Sequence, residues 1–92
     1  MIKSFKCPET ERIFRRQHSR RFSSIETAVL RKLLLLEAAG RVEDLRVPPG
    51  NRLEKLQGDR AGQYSVRIND QWRICFRWSE GAAYEVQVVD YH

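Results

Sequence analysis

Residues able to do chemistry crowd the last part of this chain. Asp90-Tyr91-His92 puts a carboxylate, a phenol and an imidazole side by side, directly after a strand-like run from Tyr84 to Val89. Termini are normally loose and chemically plain, so such a tripeptide is informative. An imidazole has a reference pKa of about 6.5 and can give or take a proton near neutrality. The carboxylate beside it is a candidate base. Upstream, Ile68-Asn69-Asp70-Gln71-Trp72-Arg73-Ile74 reads as a tight turn between two more strand-like runs. Together these predict a small sheet with a polar site on one face.

The bulk properties limit what can hold that site. Ninety-two residues predict a single domain, 1–92, with a modest core in which every apolar face is needed. Lys and Arg number 17 against 12 Asp and Glu, a net charge of +5. With a pI of about 9.7, that balance favours a polyanionic partner, RNA, DNA or an acidic protein. The plainer reading is a basic soluble protein. Cys7 and Cys75 lie far apart without a CxxC, which argues against a disulfide framework or a zinc site. They read as reduced thiols of a cytoplasmic protein. No run approaches the roughly 18 apolar residues of a membrane span. Met1 to Lys6 lacks the apolar stretch of a signal peptide.

The elements follow from spacing. Ile2 to Phe5 suits a short first strand. Pro8 suits the first turn of a helix, with Glu9 and Glu11 near its positive end. Such a helix turns Ile13 and Phe14 inward and Arg12, Arg15 and Arg16 outward, and fails by Ser19. Ser23-Ser24-Ile25-Glu26 fits a capping box that opens a second helix. There Ile25, Val29, Leu33 and Leu36 recur at helical spacing, widened by Leu30 and Leu34, and Gly40 is the stop. The leucine run is too short for a zipper and reads as core. Val42 to Leu45 suits one helical turn, and Pro48-Pro49-Gly50-Asn51 marks the change to strands.

Arg52 to Leu56 predicts a short strand, followed by a loop to Gly62. Then alternation sets in. Tyr64, Val66 and Ile68, then Trp72, Ile74, Phe76 and Trp78, then Tyr84, Val86 and Val88 form one apolar set. Period two is the signature of a sheet with one buried face. Ser65, Arg67, Arg73, Cys75 and Arg77 belong to the other set, which is expected to face solvent. By parity Tyr91 falls with Glu85 and Gln87 on the polar face, and His92 opposite. The order predicts an α+β fold: two N-terminal helices packed on one face of a mainly antiparallel four- to five-stranded sheet.

These residues carry a resemblance. The stretch Pro49 to Ile74, PGNRLEKLQGDRAGQYSVRINDQWRI, resembles the core motif of the HigB toxins, in the RelE/ParE superfamily. The opening Ile2-Lys3-Ser4-Phe5 and the closing Asp90-Tyr91-His92 fit the same pattern, as do length and element order. The resemblance implies a RelE-like fold with its site on the open sheet face. It also implies the toxin of a bacterial type II toxin–antitoxin pair. Such toxins enter the ribosomal A site, cleave messenger RNA there without a metal or other cofactor, and so stop translation and growth. The implied partners are the ribosome, messenger RNA and a HigA-like helix-turn-helix antitoxin. Operon DNA is met only through that antitoxin, and no membrane is involved.

Metal-free cleavage uses the 2′-hydroxyl as nucleophile on the adjacent phosphate. It needs a base, a cation for the growing phosphorane charge and an acid for the departing 5′-oxygen. No cluster in the sequence suits a divalent cation. Arg73 is the first candidate for the cation, because a guanidinium is permanently charged and holds two phosphate oxygens at once. Arg67 has the same facing; for both, a surface arginine is the plainer reading. His92 is the first candidate for proton transfer, against a frayed end. Asp90 orients it, acts as base itself, or ends the strand in a salt bridge. Tyr91 bonds the phosphate, stacks on a base, or packs on the helix side.

Many HigB relatives carry a histidine where this chain has Glu54 and a lysine where it has Gln57. Glu54 serves as base if burial raises its pKa, yet a carboxylate repels phosphate. Its structural alternative is an ion pair with Arg52 or Lys55. Asn51, Arg52 and Lys55 are expected beside the site, positioning RNA. The basic stretch from Arg12 to Arg21, above all Arg15 and Arg16, grips ribosomal RNA, meets an acidic antitoxin surface, or is a solvated helix face. His18 within it reads as a surface residue. Two other functions stay open: a non-cleaving RNA- or ribosome-binding module of the same fold, and a basic DNA-binding protein. Against the last, neither helix reads as a recognition helix.

Overall fold

A computed structural model describes residues 1–90 of the protein. The expectations for Tyr91 and His92 therefore fall outside the described residues. Helix α1 spans Pro8–Phe14, with Pro8 in its first turn and Glu9 and Glu11 beside it. Helix α2 spans Glu26–Ala38 and buries Val29, Leu33 and Leu36. The strands are β1 (Glu54–Lys55), β2 (Gln63–Arg67), β3 (Trp72–Ser79) and β4 (Ala82–Asp90). They form one sheet in the order β1-β2-β3-β4, antiparallel throughout. Val42–Arg46 forms the expected single turn, of 3-10 type.

The expected first strand is reduced to two isolated parallel bridges, Ile2 to Ala83 and Phe5 to Val86, along the outer edge of β4. The amide of Lys3 donates to the carbonyl of Ala83 at 2.7 Å, and that of Lys6 to Val86 at 3.0 Å. Strand β1 is also shorter than the expected Arg52–Leu56, because Arg52 takes a left-handed backbone with φ of 44°. The capping box at Ser23 does not form. Ile25 occupies the cap position, and no side chain bonds there. Glu26 instead accepts from the Ser19 amide and pairs with His18 Nδ1 at 3.0 Å, which ties the inter-helix link to α2.

One core joins the helices to the sheet. Ile13 from α1 and Val29, Leu33 and Leu36 from α2 pack in one cluster with Val66, Ile74, Phe76, Val86 and Val88. Val66, Ile74 and Val88 are cross-strand partners and so share one face. Each such side chain, fully buried, contributes on the order of 2 kcal/mol. Thr10 adds a polar tie: its hydroxyl accepts from the Val88 amide at 3.1 Å, in a buried position.

The alternation breaks once. Cys75 pairs with Gln87, whereas Arg77 pairs with Tyr84, so β4 carries one extra residue between them. Glu85, at φ of 53°, absorbs it as a bulge. The residues of β4 in the core are consequently Ala83, Val86 and Val88. Tyr84, expected among the apolar set, lies opposite Arg77 on the polar face. A single extra residue shifts every side chain before it to the other side.

Candidate nucleic-acid interface

The face of the sheet away from the core is built as two adjacent cross-strand rows. In one, Glu54, Ser65, Cys75 and Gln87 lie side by side; in the next, Arg67, Arg73 and Val89. Strand pairing alone therefore brings Glu54 and Arg73 together, although they are far apart in sequence. Arg73 is on the predicted face but is not turned to solvent: its side chain is only 8% exposed. Its Nε donates to Ser65 Oγ at 2.8 Å, and Nη2 donates to the Arg52 carbonyl at 2.6 Å. Nη1 lies 3.4 Å from Glu54 Oε1. Ser65 and Cys75, expected to face solvent, are fully buried on this face. Arg60 and Arg73 both act on Cys75 electrostatically. Burial pushes the Cys75 thiol above its ordinary pKa, and those two guanidiniums pull only partly the other way.

Arg67 and Arg73 are directly opposed on neighbouring strands. Like charges so placed repel. Each is held by an acid, Arg67 by Asp70 across the turn and Arg73 by Glu54. The turn is fixed by Asn69, whose Oδ1 accepts from the amides of Gln71 at 2.8 Å and Trp72 at 2.9 Å. Asp90 pairs across β3 with Trp72 and accepts from Gln71 Nε2 at 3.3 Å. It thus stands at the same end of the sheet as the Arg67–Arg73 row. Arg77, bonded to Glu85 at 2.6 Å, extends the basic character toward the hairpin. The result is a face of fixed guanidiniums with carboxylates between them, suited to an anion that can displace a carboxylate.

The remaining predicted residues separate. Glu54 pairs with Arg73 rather than with its sequence neighbours Arg52 and Lys55. Lys55 pairs with Tyr64, so it points to the side of β1 opposite Glu54 and away from Arg73. Asn51 is buried: its Nδ2 donates to the carbonyls of Leu45 at 3.1 Å and Val47 at 3.3 Å, and its Oδ1 accepts from Lys32. Its amide holds the loop that carries Arg52. Arg15 pairs with Glu11 at 2.9 Å, and Arg16 Nη1 donates to the Phe14 carbonyl at 2.6 Å. Both lie on α1 or just past it, not on the sheet face. Sequence reasoning passed over Ser65 and Arg60 as site residues. Ser65 sits in the polar set two residues before Arg67, but only the register shows that it meets Arg73.

The family described as "RelE-like toxin of type II toxin-antitoxin system HigB" matches residues 3–92. Toxin HigB-1 of Vibrio cholerae serotype O1 is 52% identical over 61 residues, 66% of this chain and 64% of that protein. Endoribonuclease HigB of Proteus vulgaris is 42% identical over 41 residues, 45% of either chain. The chain thus spans less than two thirds of the length of these relatives. In fold it is similar to a chain of the heterotetrameric YoeB-YefM toxin-antitoxin complex from Staphylococcus aureus. The TM-score is 0.57 at 17% identity, covering 100% of this chain and 98% of that one.

Proposed function

Because this chain belongs to the RelE-like HigB toxin family of type II toxin–antitoxin systems, we propose that it is the growth-arresting toxin of such a pair. In this reading it is an endoribonuclease that cuts messenger RNA in the ribosomal A site. One observation carries the chemistry: Arg67 and Arg73 stand side by side on the sheet face, with Glu54 3.4 Å from the Arg73 guanidinium. The name of the Proteus vulgaris relative, an endoribonuclease, supports the activity. The YoeB-YefM complex supports an antitoxin partner, here a HigA-like one.

The scissile phosphate takes the place of Glu54 at Arg73 Nη1, with Arg67 alongside. The 2′-oxygen attacks phosphorus, the bond to the 5′-oxygen breaks, and a 2′,3′-cyclic phosphate and a 5′-hydroxyl result. Arg73 offsets the charge that grows on the phosphorane oxygens; such positioned cations contribute several kcal/mol in buried sites. Ser65 and the Arg52 carbonyl hold the guanidinium, so its orientation costs nothing at the moment of reaction. Glu54, Asp90 and His92 are the candidates that take the 2′-proton and supply one to the 5′-oxygen, and Tyr91 contacts the phosphate.

A second reading has support in the same ion pair. A carboxylate already seated on Arg73 suits a protein that binds RNA or the ribosome without cutting. Primer extension on a translated reporter message separates the two. The wild type, Arg73→Ala and the chain cut after Val89 are expressed in bacteria. Discrete in-frame cuts lost in both variants, with folding of each checked by circular dichroism, are the expected result. Growth arrest with no cuts by the wild type overturns the nuclease reading.

A further inference from the structure

Behind the β1 edge, on the side away from Glu54, lies an open groove of about 530 Å³. That is within the roughly 300–1,000 Å³ of small-ligand clefts. Its walls include Pro49, Leu53 and Tyr64, and its rim carries Arg46, Arg52 and Lys55. Arg46, Arg52 and Lys55 are all exposed, and none makes an ion pair with another described residue. The one lining carboxylate, Glu43, has its own partner in Arg41 at 3.7 Å. The groove is therefore a cationic rim around an apolar and aromatic floor.

Two features link it to the sheet face. Strand β1 is only two residues long, and its neighbours alternate: Glu54 faces Arg73 while Lys55 faces the groove. Arg52 belongs to both sides, lining the groove while its carbonyl accepts from Arg73 Nη2. Arg52 is thus the residue common to the groove and to the setting of Arg73.

We infer that the groove is a second RNA subsite, which takes a nucleotide flanking the scissile one, its base against Tyr64 and Leu53 and its phosphates on Arg46, Arg52 and Lys55. The inference rests on the RNA reading above. The chemistry is that of single-strand binding in general, a basic groove tracking the backbone with an aromatic ring on which a base stacks. Tyr64 is prepared for that role, since one face of its ring already stacks on Phe76 at 6.1 Å. Continuity with the sheet face favours RNA over an acidic peptide as the occupant.

The test measures binding of a short fluorescein-labelled 2′-O-methyl RNA, which cannot be cut, to the intact protein across a salt series. Arg46→Glu and Lys55→Gln alter the groove, and Arg67→Gln alters the sheet face. Each groove variant is expected to weaken binding about three- to tenfold and to flatten the salt slope by about 0.7, one phosphate contact on a single strand. Unchanged affinity and slope in both, with Arg67→Gln weakened, overturns the subsite and leaves the RNA reading standing. A wild type that neither binds this RNA nor cuts a message overturns both. Binding of a glutamate-rich peptide that is lost in Arg46→Glu, with RNA binding intact, gives the groove to a protein partner and also overturns the inference.

Discussion

In the proposed site, Glu54 is the residue that most constrains what Arg73 can hold. A carboxylate 3.4 Å from the Arg73 guanidinium occupies space a phosphate needs, and neutralises part of the charge that attracts one. Its side chain is half exposed, so the pair is screened and displaceable. Glu54→Gln is expected to tighten binding of uncleavable RNA about threefold at low salt, as measured by anisotropy; weaker binding would show that the carboxylate is needed to hold Arg73. Glu54→His puts an imidazole at this position and, under the nuclease reading, is expected to raise the cleavage rate in a ribosome-programmed assay. No gain would count against a proton-transfer role at this position. Asn51 makes the contrasting case. Polar, and beside Arg52 in sequence, it reads as an RNA contact, yet its amide is turned inward onto Leu45, Val47 and Lys32. Asn51→Ala leaves the buried Leu45 carbonyl, the part-buried Val47 carbonyl and a lysine without that partner, and is expected to lower stability by about 1–3 kcal/mol in urea melts. No local pattern distinguishes an inward from an outward asparagine; only the path of the loop does.

At the scale of elements, period and punctuation carried most of the information. The run Val29, Leu33, Leu36 set the buried face of α2, and Pro8 set the start of α1. Leu33→Ala, in the centre of the core, is expected to cost about 2–5 kcal/mol, read as a lowered urea midpoint. What spacing could not show were the features decided by long-range pairing. Glu26 is drawn away from Ser23 by the Ser19 amide and His18, so a sound capping motif goes unused. The bulge at Glu85 moves Tyr84 to the polar face, against simple alternation. The polar face itself was legible, as was the membership of Arg67 and Arg73 in it. Its burial was not, because Arg73 meets Ser65, the Arg52 carbonyl and Glu54 only in three dimensions.

For the whole molecule, a buried thiol makes stability depend on pH. Burial holds the Cys75 pKa above its ordinary value of 9.0. The folded protein therefore keeps its proton where the unfolded chain loses it. That contribution is fully present below 9.0 and is lost as pH rises through the folded value. Cys75→Ala is expected to show a flatter fall in unfolding free energy between about pH 8 and pH 10 than the wild type. The architecture also sets an order of events during synthesis. Ile2 to Lys6 are hydrogen-bonded to β4, near the other end of the described chain, and α1 is tied to Val88 through Thr10. Contacts between residues so far apart in sequence form late and slowly. A nascent polypeptide still lacking β4 has neither an outer edge for its first residues nor the strand that completes the arginine row. Pairing of the first residues, and with it the closing of that edge of the sheet, therefore waits on the last strand described.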